Sequence, residues 1–428
     1  MDVHYLLEWA NLLLRWAHVV VAIAWIGSSF YFVFLDNSLS APEDPALKDK
    51  GVSGELWAVH GGGFYNPQKY LVAPRTLPDK LHWFFWESYS TWLTGFALFT
   101  VMYLFNASTF LMDARVFVWP SPLAAVGAAL AFLGLFWVFY DRICRWFGEK
   151  NGAVGGVVGS AVDGAVGGAV GNDWRVALLV LVYVVAASWL ACQFFAGRAA
   201  FLLVGAMLAT AMSANVFFWI IPGQRKVIAQ MKAGQPVEAI HGQRAKQRSV
   251  HNTYFTLPVL VAMLSNHHGW LYQGAHNWAV LVLLMLAGAS IRHSFVVRQQ
   301  ALAQGRRVPW EYAAGGTALL LGLAVWLAPK PSPTWTLSPT LTPPVATAAA
   351  PATLAQAHTV MQARCVACHN GQVQQKNVAL HTPALLQQHA LAVYQQTVVL
   401  KLMPMNNATA ITDDERALIK RWFEAGAK

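Results

Sequence analysis

Cys365, Cys368 and His369 stand in the pattern Cys-x-x-Cys-His. Two thiols at that spacing can add to the two vinyl groups of a haem, and the adjacent imidazole supplies one axial nitrogen to the iron. A thioredoxin-like redox pair is the competing reading, but it belongs at the start of a helix in a βαβ pattern, and none surrounds Cys365. The residues therefore predict a covalent c-type haem. Its second axial ligand should be a Met on a following loop, the common partner of His in cytochromes c. Met403-Pro404-Met405 offers two sulfurs. Met403 is favoured, because Pro404 stiffens the residue before it in an extended form. Met361 reads as core. Bacterial c-type haems are attached outside the cytoplasmic membrane, so the motif also predicts a side.

A second set of chemistry-bearing residues lies in apolar surroundings, where ionisable groups are functional candidates. His82, Trp86 and Tyr89 are spaced for one helix face, with Trp83, Glu87 and Ser90 on the next. Asn215, the run His251-Asn252-Thr253-Tyr254, the pair Arg292-His293, the loop His60 to Tyr65 and Arg75 are expected at the same end of their elements. They could converge on one polar pocket, or they could snorkel to an interface beside an aromatic belt. His18, with Arg15 and Trp25 near its face, is expected at the opposite end, as are His267, His268 and His276. Interfacial hydrogen bonding and axial ligation of a non-covalent b-type haem both remain open for His18.

The elements that position these groups are membrane spans. The chain is 56% hydrophobic and 12% charged, about half the charged fraction of a soluble domain. Eight stretches approach the ~20 residues needed to cross a bilayer: 9–35, 81–105, 121–141, 174–194, 198–221, 252–272, 276–297 and 312–328. The first lacks the basic start and cleavage site of a signal peptide and is expected to stay as a helix. Lys and Arg crowd the connections after spans one, three, five and seven, so both termini face outward by the positive-inside rule. That agrees with the side a c-type haem requires. The net charge of +10 reports topology and gives no reason to invoke nucleic acid. Cys144 and Cys192 fall at opposite ends of spans three and four, too far apart for a disulfide, and read as packing residues.

The expected class is all-α, a polytopic bundle of about eight helices with a small class I-like cytochrome c domain. Residues 1–328 form the membrane domain, 329–353 a Pro/Thr/Ala-rich linker and 354–428 the haem domain. Leu354 to Arg364 should be a helix entering the Cys-x-x-Cys-His turn. Thr412 to Glu415 spells a capping box for a last helix bearing Leu418, Ile419 and Trp422 and stopping at Gly426. The Gly-rich stretch 151–172 is read as an insert rather than a ninth span.

The order of motifs resembles the membrane-bound bacterial urate oxidases (urate hydroxylases of the PuuD type). The residues that carry the likeness are His18 with Trp25-Ile26-Gly27, Gly62-Gly63-Phe64-Tyr65, His82-Trp83-Phe84 with Glu87, Ala214 to Phe218, Gln247 to Asn252, Ser265-Asn266-His267, the Cys-x-x-Cys-His and Lys401 to Pro404. The resemblance implies oxidation of urate to 5-hydroxyisourate in purine catabolism. Electrons would leave through the c-type haem to a respiratory cytochrome c or terminal oxidase. It also implies candidate roles: Glu87, His82 and His251 for proton handling, and Arg75, Asn215 and Asn252 for binding substrate. The residues alone stop at a membrane redox enzyme with a c-type haem. A cytochrome passing electrons from quinol to cytochrome c stays open, and so does a transporter with a fused redox sensor, although no inverted repeat is visible.

Overall fold

Long runs of Ala, Leu, Val and aromatic residues leave the helix as the element that satisfies its own backbone polar groups away from water, and the chain is mostly helical. The computed structural model describes residues 3–70, 74, 76–149, 174–328, 352–371 and 378–428. The first part contains α1 (Val3–Ser38), α2 (Pro45–Asp49), α3 (Trp86–Phe99), α4 (Ala107–Phe110), α5 (Pro122–Ile143), α6 (Trp174–Phe194), α7 (Gly197–Asn215), α8 (Ile221–Lys232), α9 (Ala239–Leu264), α10 (Asn277–Ala303) and α11 (Glu311–Trp326). Among the described residues, Trp9–Ser38, Pro122–Gly148, Trp174–Phe194, Gly197–Lys232 and Asn277–Leu302 are long and apolar enough to cross a membrane. The other three expected spans coincide with helices that fall short of that standard. α3 has 14 residues before a π-helical turn, α9 begins with a polar half, and α11 has 16 residues.

Two boundaries correct the reading of the sequence. The second helix starts at Trp86, not at 81, so His82 and Trp83 lie in irregular chain ahead of it and share no helix face with Tyr89 or Glu87. The helix holding the sixth apolar stretch begins at Ala239, ahead of the stretch itself, which puts His251 and Asn252 in mid-helix. Residues 52–70 also depart from an all-α class. β1 (Val52–Glu55) pairs with β4 (Gln68–Tyr70), and β2 (Ala58–His60) with β3 (Gly63–Tyr65), both antiparallel. Gly61 and Gly62 turn the inner ribbon with φ of 57° and 82°, the pair of positive values a two-residue hairpin turn demands. Lys69 of β4 ties the outer ribbon to Asp36 of α1 at 2.5 Å.

α7 is the centre of the bundle. Ala199, Ala200, Phe201, Leu203, Val204, Met207 and Ala211 are fully buried against α5, α6 and α9. Small residues permit that approach: a Cβ on Gly205 would lie 2.9 Å from Ala262 of α9.

Residues 352–428 build a second core from Ala357, Met361, Leu380, Leu386, Ile419 and Trp422. α12 (Leu354–Arg364) leads into the Cys-x-x-Cys-His turn, and α13 (Pro383–Gln388) and α14 (Ala390–Tyr394) precede α15 (Asp413–Glu424), which packs on α12. Capping boxes open both long helices, Thr353 with Gln356 and Thr412 with Glu415. The stretches 151–172 and 329–351 lie outside the described residues.

Candidate functional site

α9 presents Arg248, His251, Asn252 and Phe255 at i, i+3, i+4 and i+7, one continuous face. Opposite it stand Tyr140 and Asp141 at the end of α5 and Asn215 at the end of α7. Asn215 Nδ2 donates to Tyr140 Oη at 3.0 Å and to Asn252 Oδ1 at 2.9 Å, and Asn252 Nδ2 donates to the Met212 carbonyl at 3.0 Å. Tyr140 and His251 Nδ1 are 2.8 Å apart. Either group can be the donor in that contact; with the proton on His251 Nδ1, Tyr140 accepts it and the neutral ring keeps its lone pair on Nε2. Cys144 Sγ lies 3.7 Å from the same Nδ1. Cys144 therefore belongs to a polar cluster and is more than packing.

One helical turn away, Arg248 Nη2 and Trp219 Nε1 both donate to Asp141 Oδ1 at 2.8 Å. The guanidinium lies 5.1 Å from the Tyr140 ring centre and 5.4 Å from that of Trp219. Arg248 is 2% exposed and Asn215 is fully buried. Each keeps an atom with no hydrogen-bond partner among the described residues, Arg248 Nη1 and Asn215 Oδ1. A buried orphan donor and a buried orphan acceptor in one cluster are costly and mark where a polar ligand would be rewarded.

Of the six sequence candidates, the structure unites His251, Asn215 and Asn252. His82 is exposed, with its ring 4.7 Å from that of Phe84, and Glu87 is half-buried in the first turn of α3. Neither shares a hydrogen bond with the cluster among the described residues. The neighbouring Ser88 does reach α7, 3.1 Å from Ser213. Arg75 lies outside the described residues. His60, Phe64 and Tyr65 sit exposed around the ribbon turn, and His293 pairs instead with Tyr254 at 2.7 Å. Sequence reasoning missed Tyr140, Asp141, Trp219 and Arg248. By hydropathy Arg248 reads as a charge of the connection before span six, whereas it is a buried ion-pair member. An Arg three residues before a His on a helix, matched by an Asp closing another apolar helix, was the available signal.

His18 Nδ1 lies 3.1 Å from both the Thr91 carbonyl and Thr94 Oγ1, and its ring presses on Gly95. An imidazole anchored through one nitrogen is oriented to ligate with the other, which fits one axial position. Among the described residues His18 shares no hydrogen bond or ring contact with another histidine.

The Cys-x-x-Cys-His turn is held by the Cys368 and His369 N–H groups, which both donate to the Cys365 carbonyl. His369 Nδ1 lies 2.9 Å from the Val378 carbonyl, so the ring donates there and leaves Nε2 free, the arrangement of a ligating histidine. Burial, reinforced by Cys368 and opposed by Arg416, pushes the Cys365 thiol up to about 12. Two thiols beside a histidine whose Nδ1 is engaged by a carbonyl fit the attachment and axial ligation of a haem. Met361 is fully buried in the core. Arg416 Nη1 donates to the carbonyls of Thr397 and Met403, pinning the loop that bears both candidate methionines.

Among the described residues, five helices long and apolar enough to cross a membrane surround a buried Arg/Asp/His/Asn cluster, with a small Cys-x-x-Cys-His unit following them. The family model described as urate oxidase N-terminal matches residues 4–328, and the chain belongs to that family. Membership points to an oxidoreductase of urate-related oxidation. No curated protein and no solved structure matches the chain.

Proposed function

We propose that the chain is a multi-pass protein of the bacterial cytoplasmic membrane that oxidises urate to 5-hydroxyisourate in purine catabolism. The observation that carries this reading is membership of the urate oxidase N-terminal family in a chain that also bears Cys-x-x-Cys-His. Eight spans, both termini outside and an outward-facing haem domain belong to the same proposal.

In the reaction urate gives up two electrons, the oxygen of water forms the new C–O bond at C5, and two protons leave. A c-type haem held by Cys365, Cys368, His369 and Met403 would accept the electrons singly and pass them to a respiratory cytochrome c or terminal oxidase. The bundle's own residues bind the substrate and take the protons. Asn215 Oδ1 and Arg248 Nη1, an acceptor and a donor without hydrogen-bond partners among the described residues, would bind a carbonyl or ring N–H of the substrate. Asn252 holds Asn215 in place, and Arg75 is assigned to the anionic charge. His251, positioned by Tyr140, is the general base, with Glu87 and His82 as the proton route to solvent. A non-covalent b-type haem on His18 completes the proposal as a bridge toward the outer side.

Urate added to membranes should bleach the urate absorbance and reduce the c-type haem together. Reduction by quinol with no response to urate would replace this reading with the quinol-oxidising one.

A further inference from the structure

A cleft of about 260 Å³ opens where the C-terminal end of α1 meets α10. Phe30, Phe34 and Asn37 line it from α1, and Arg292, Phe295 and Arg298 from α10. Val250 and Tyr254 of α9 pack with Val33 and Val296 behind it, so α9 separates this cleft from the His251 cluster. Arg292 is 7% exposed and lies 3.7 Å from the centre of the Phe30 ring. Its Nε and Nη2 have no hydrogen-bond partner among the described residues. Asn37, 5% exposed, donates to the Val296 carbonyl at 3.0 Å while its Oδ1 is unpartnered. Among the described residues no carboxylate lines the cleft, and Asp36 beside it is engaged by Lys69. Arg248 shows the contrast, since its charge is answered by Asp141 at 2.8 Å.

A guanidinium withdrawn from water without a counter-charge is strongly unfavourable, so the geometry calls for an anion. The walls decide which kind. Phe34 and Phe295 are 43% and 53% exposed on the outside of the bundle, and α1 presents further exposed Tyr31 and Phe32 beside them. An inorganic anion gains nothing from such walls, whereas an acyl chain does. Basic pockets between membrane helices at the Lys/Arg-rich end are where anionic headgroups settle.

We propose that the α1/α10 cleft is a binding site for an anionic phospholipid, its phosphate on Arg292 and Arg298, a headgroup hydroxyl donating to Asn37 Oδ1, and its chains along Phe34 and Phe295. The inference rests on the membrane placement proposed above and is independent of urate chemistry. Release of the chain from membranes by alkaline carbonate would remove that placement. A bilayer-embedded protein without lipid selectivity overturns this inference alone.

The test uses the full-length protein in nanodiscs of phosphatidylcholine with or without phosphatidylglycerol, read by native mass spectrometry after transfer to detergent. Wild type should keep one phosphatidylglycerol through washes that strip phosphatidylcholine. Arg292→Gln should weaken that retention at least about tenfold, the loss of one charge-assisted contact, and Arg292→Lys should restore part of it. Equal retention of the two lipids by wild type overturns the proposal even if no variant folds. So does undiminished retention in Arg292→Gln, or displacement of the lipid by inorganic phosphate or by urate, which would assign the cleft to a soluble anion.

Discussion

Arg198 reaches the sulfur of Met405 across 207 residues of chain, with Nη1 3.3 Å from Sδ. Its Nε donates to Asn266 Oδ1 at 3.0 Å, which also accepts from Tyr103 Oη at 3.0 Å. Leu402 lies against Gly269, so the loop bearing both methionines is seated on the bundle. That contact separates two sulfurs that the sequence left as neighbours. Met405 is turned toward the bundle, while Met403 has its N–H and carbonyl held by Gln396 and Arg416 at 3.0 Å.

Met403→Ala is therefore expected to lose the methionine-ligated haem spectrum and to open the iron to external ligands such as cyanide. Met405→Ala should keep the spectrum and loosen only the seat on the bundle. Absorbance spectra of the two purified variants decide it, and an unchanged spectrum in Met403→Ala overturns the assignment.

Removing the haem attachment should separate binding from turnover. Cys365→Ala with Cys368→Ala is expected to abolish urate-dependent reduction of a cytochrome acceptor while radiolabelled urate still binds the bundle. The sites differ in place, since the His251 cluster is built from α5, α7 and α9 and the cysteines from the turn after α12. Turnover at the wild-type rate in this double variant would make the tail dispensable.

The Arg248–Asp141 pair makes a stability prediction. Arg248→Leu leaves Asp141 buried without its counter-charge, a change expected to cost about 3–5 kcal/mol. Arg248→Leu with Asp141→Leu should lose less, because no charge is stranded. Thermal shift in detergent ranks the three proteins. A double variant no better than the single would show the pair is not coupled in this way.

The tail carries a pH signature at Glu415. Burial pushes its carboxyl up, but the Thr412 N–H and the Arg364 guanidinium at 3.0 Å together pull it below the ordinary 4.5. A lowered folded value means that stabilisation is present above 4.5 and is lost as pH falls through the folded value. The melting-temperature gap between wild type and Glu415→Gln should therefore be full at neutral pH and close under acid conditions. A gap that stays constant through that range would remove Glu415 as the cause.

Local codes were legible in the sequence and long-range pairings were not. The helix Leu354–Arg364 and the capping box at Thr412 and Glu415 follow from residues within a few positions of one another, as do the apolar limits of α6. The start of α9 was not, because its polar half from Ala239 is held by α8 and the bundle rather than by its own hydropathy. Asn215 and Asn252 were chosen as polar residues in apolar stretches, and the structure joins them at 2.9 Å. The helical spacing that singles out His82 does not apply, because the helix begins four residues later at Trp86. Arg248 shows the limit most sharply. Only the fold brings Asp141 to it from 107 residues away, so a hydropathy reading sees a loop charge where the structure has a buried ion pair.

The last prediction concerns how electrons cross. The proposed topology puts the His251 cluster at the Lys/Arg-rich end and the Cys-x-x-Cys-His turn beyond the other, with a hydrocarbon core of ~30 Å between the two faces. Direct transfer over such a span is too slow for turnover, so on this topology either a second redox group stands between or the oxidation site lies nearer the outer face. His18 is suited to hold one, with Nδ1 fixed by Thr91 and Thr94 at 3.1 Å and Gly95 leaving room for the ring. Acid–acetone extraction of the purified protein is expected to release a non-covalent haem while the c-type haem stays attached. His18→Ala should lower the extractable haem and leave the covalent haem unchanged. If the extract holds no haem and no other cofactor is found, the bridge is wrong. The oxidation site must then lie at the outer end, near His18 and His267, rather than at the His251 cluster.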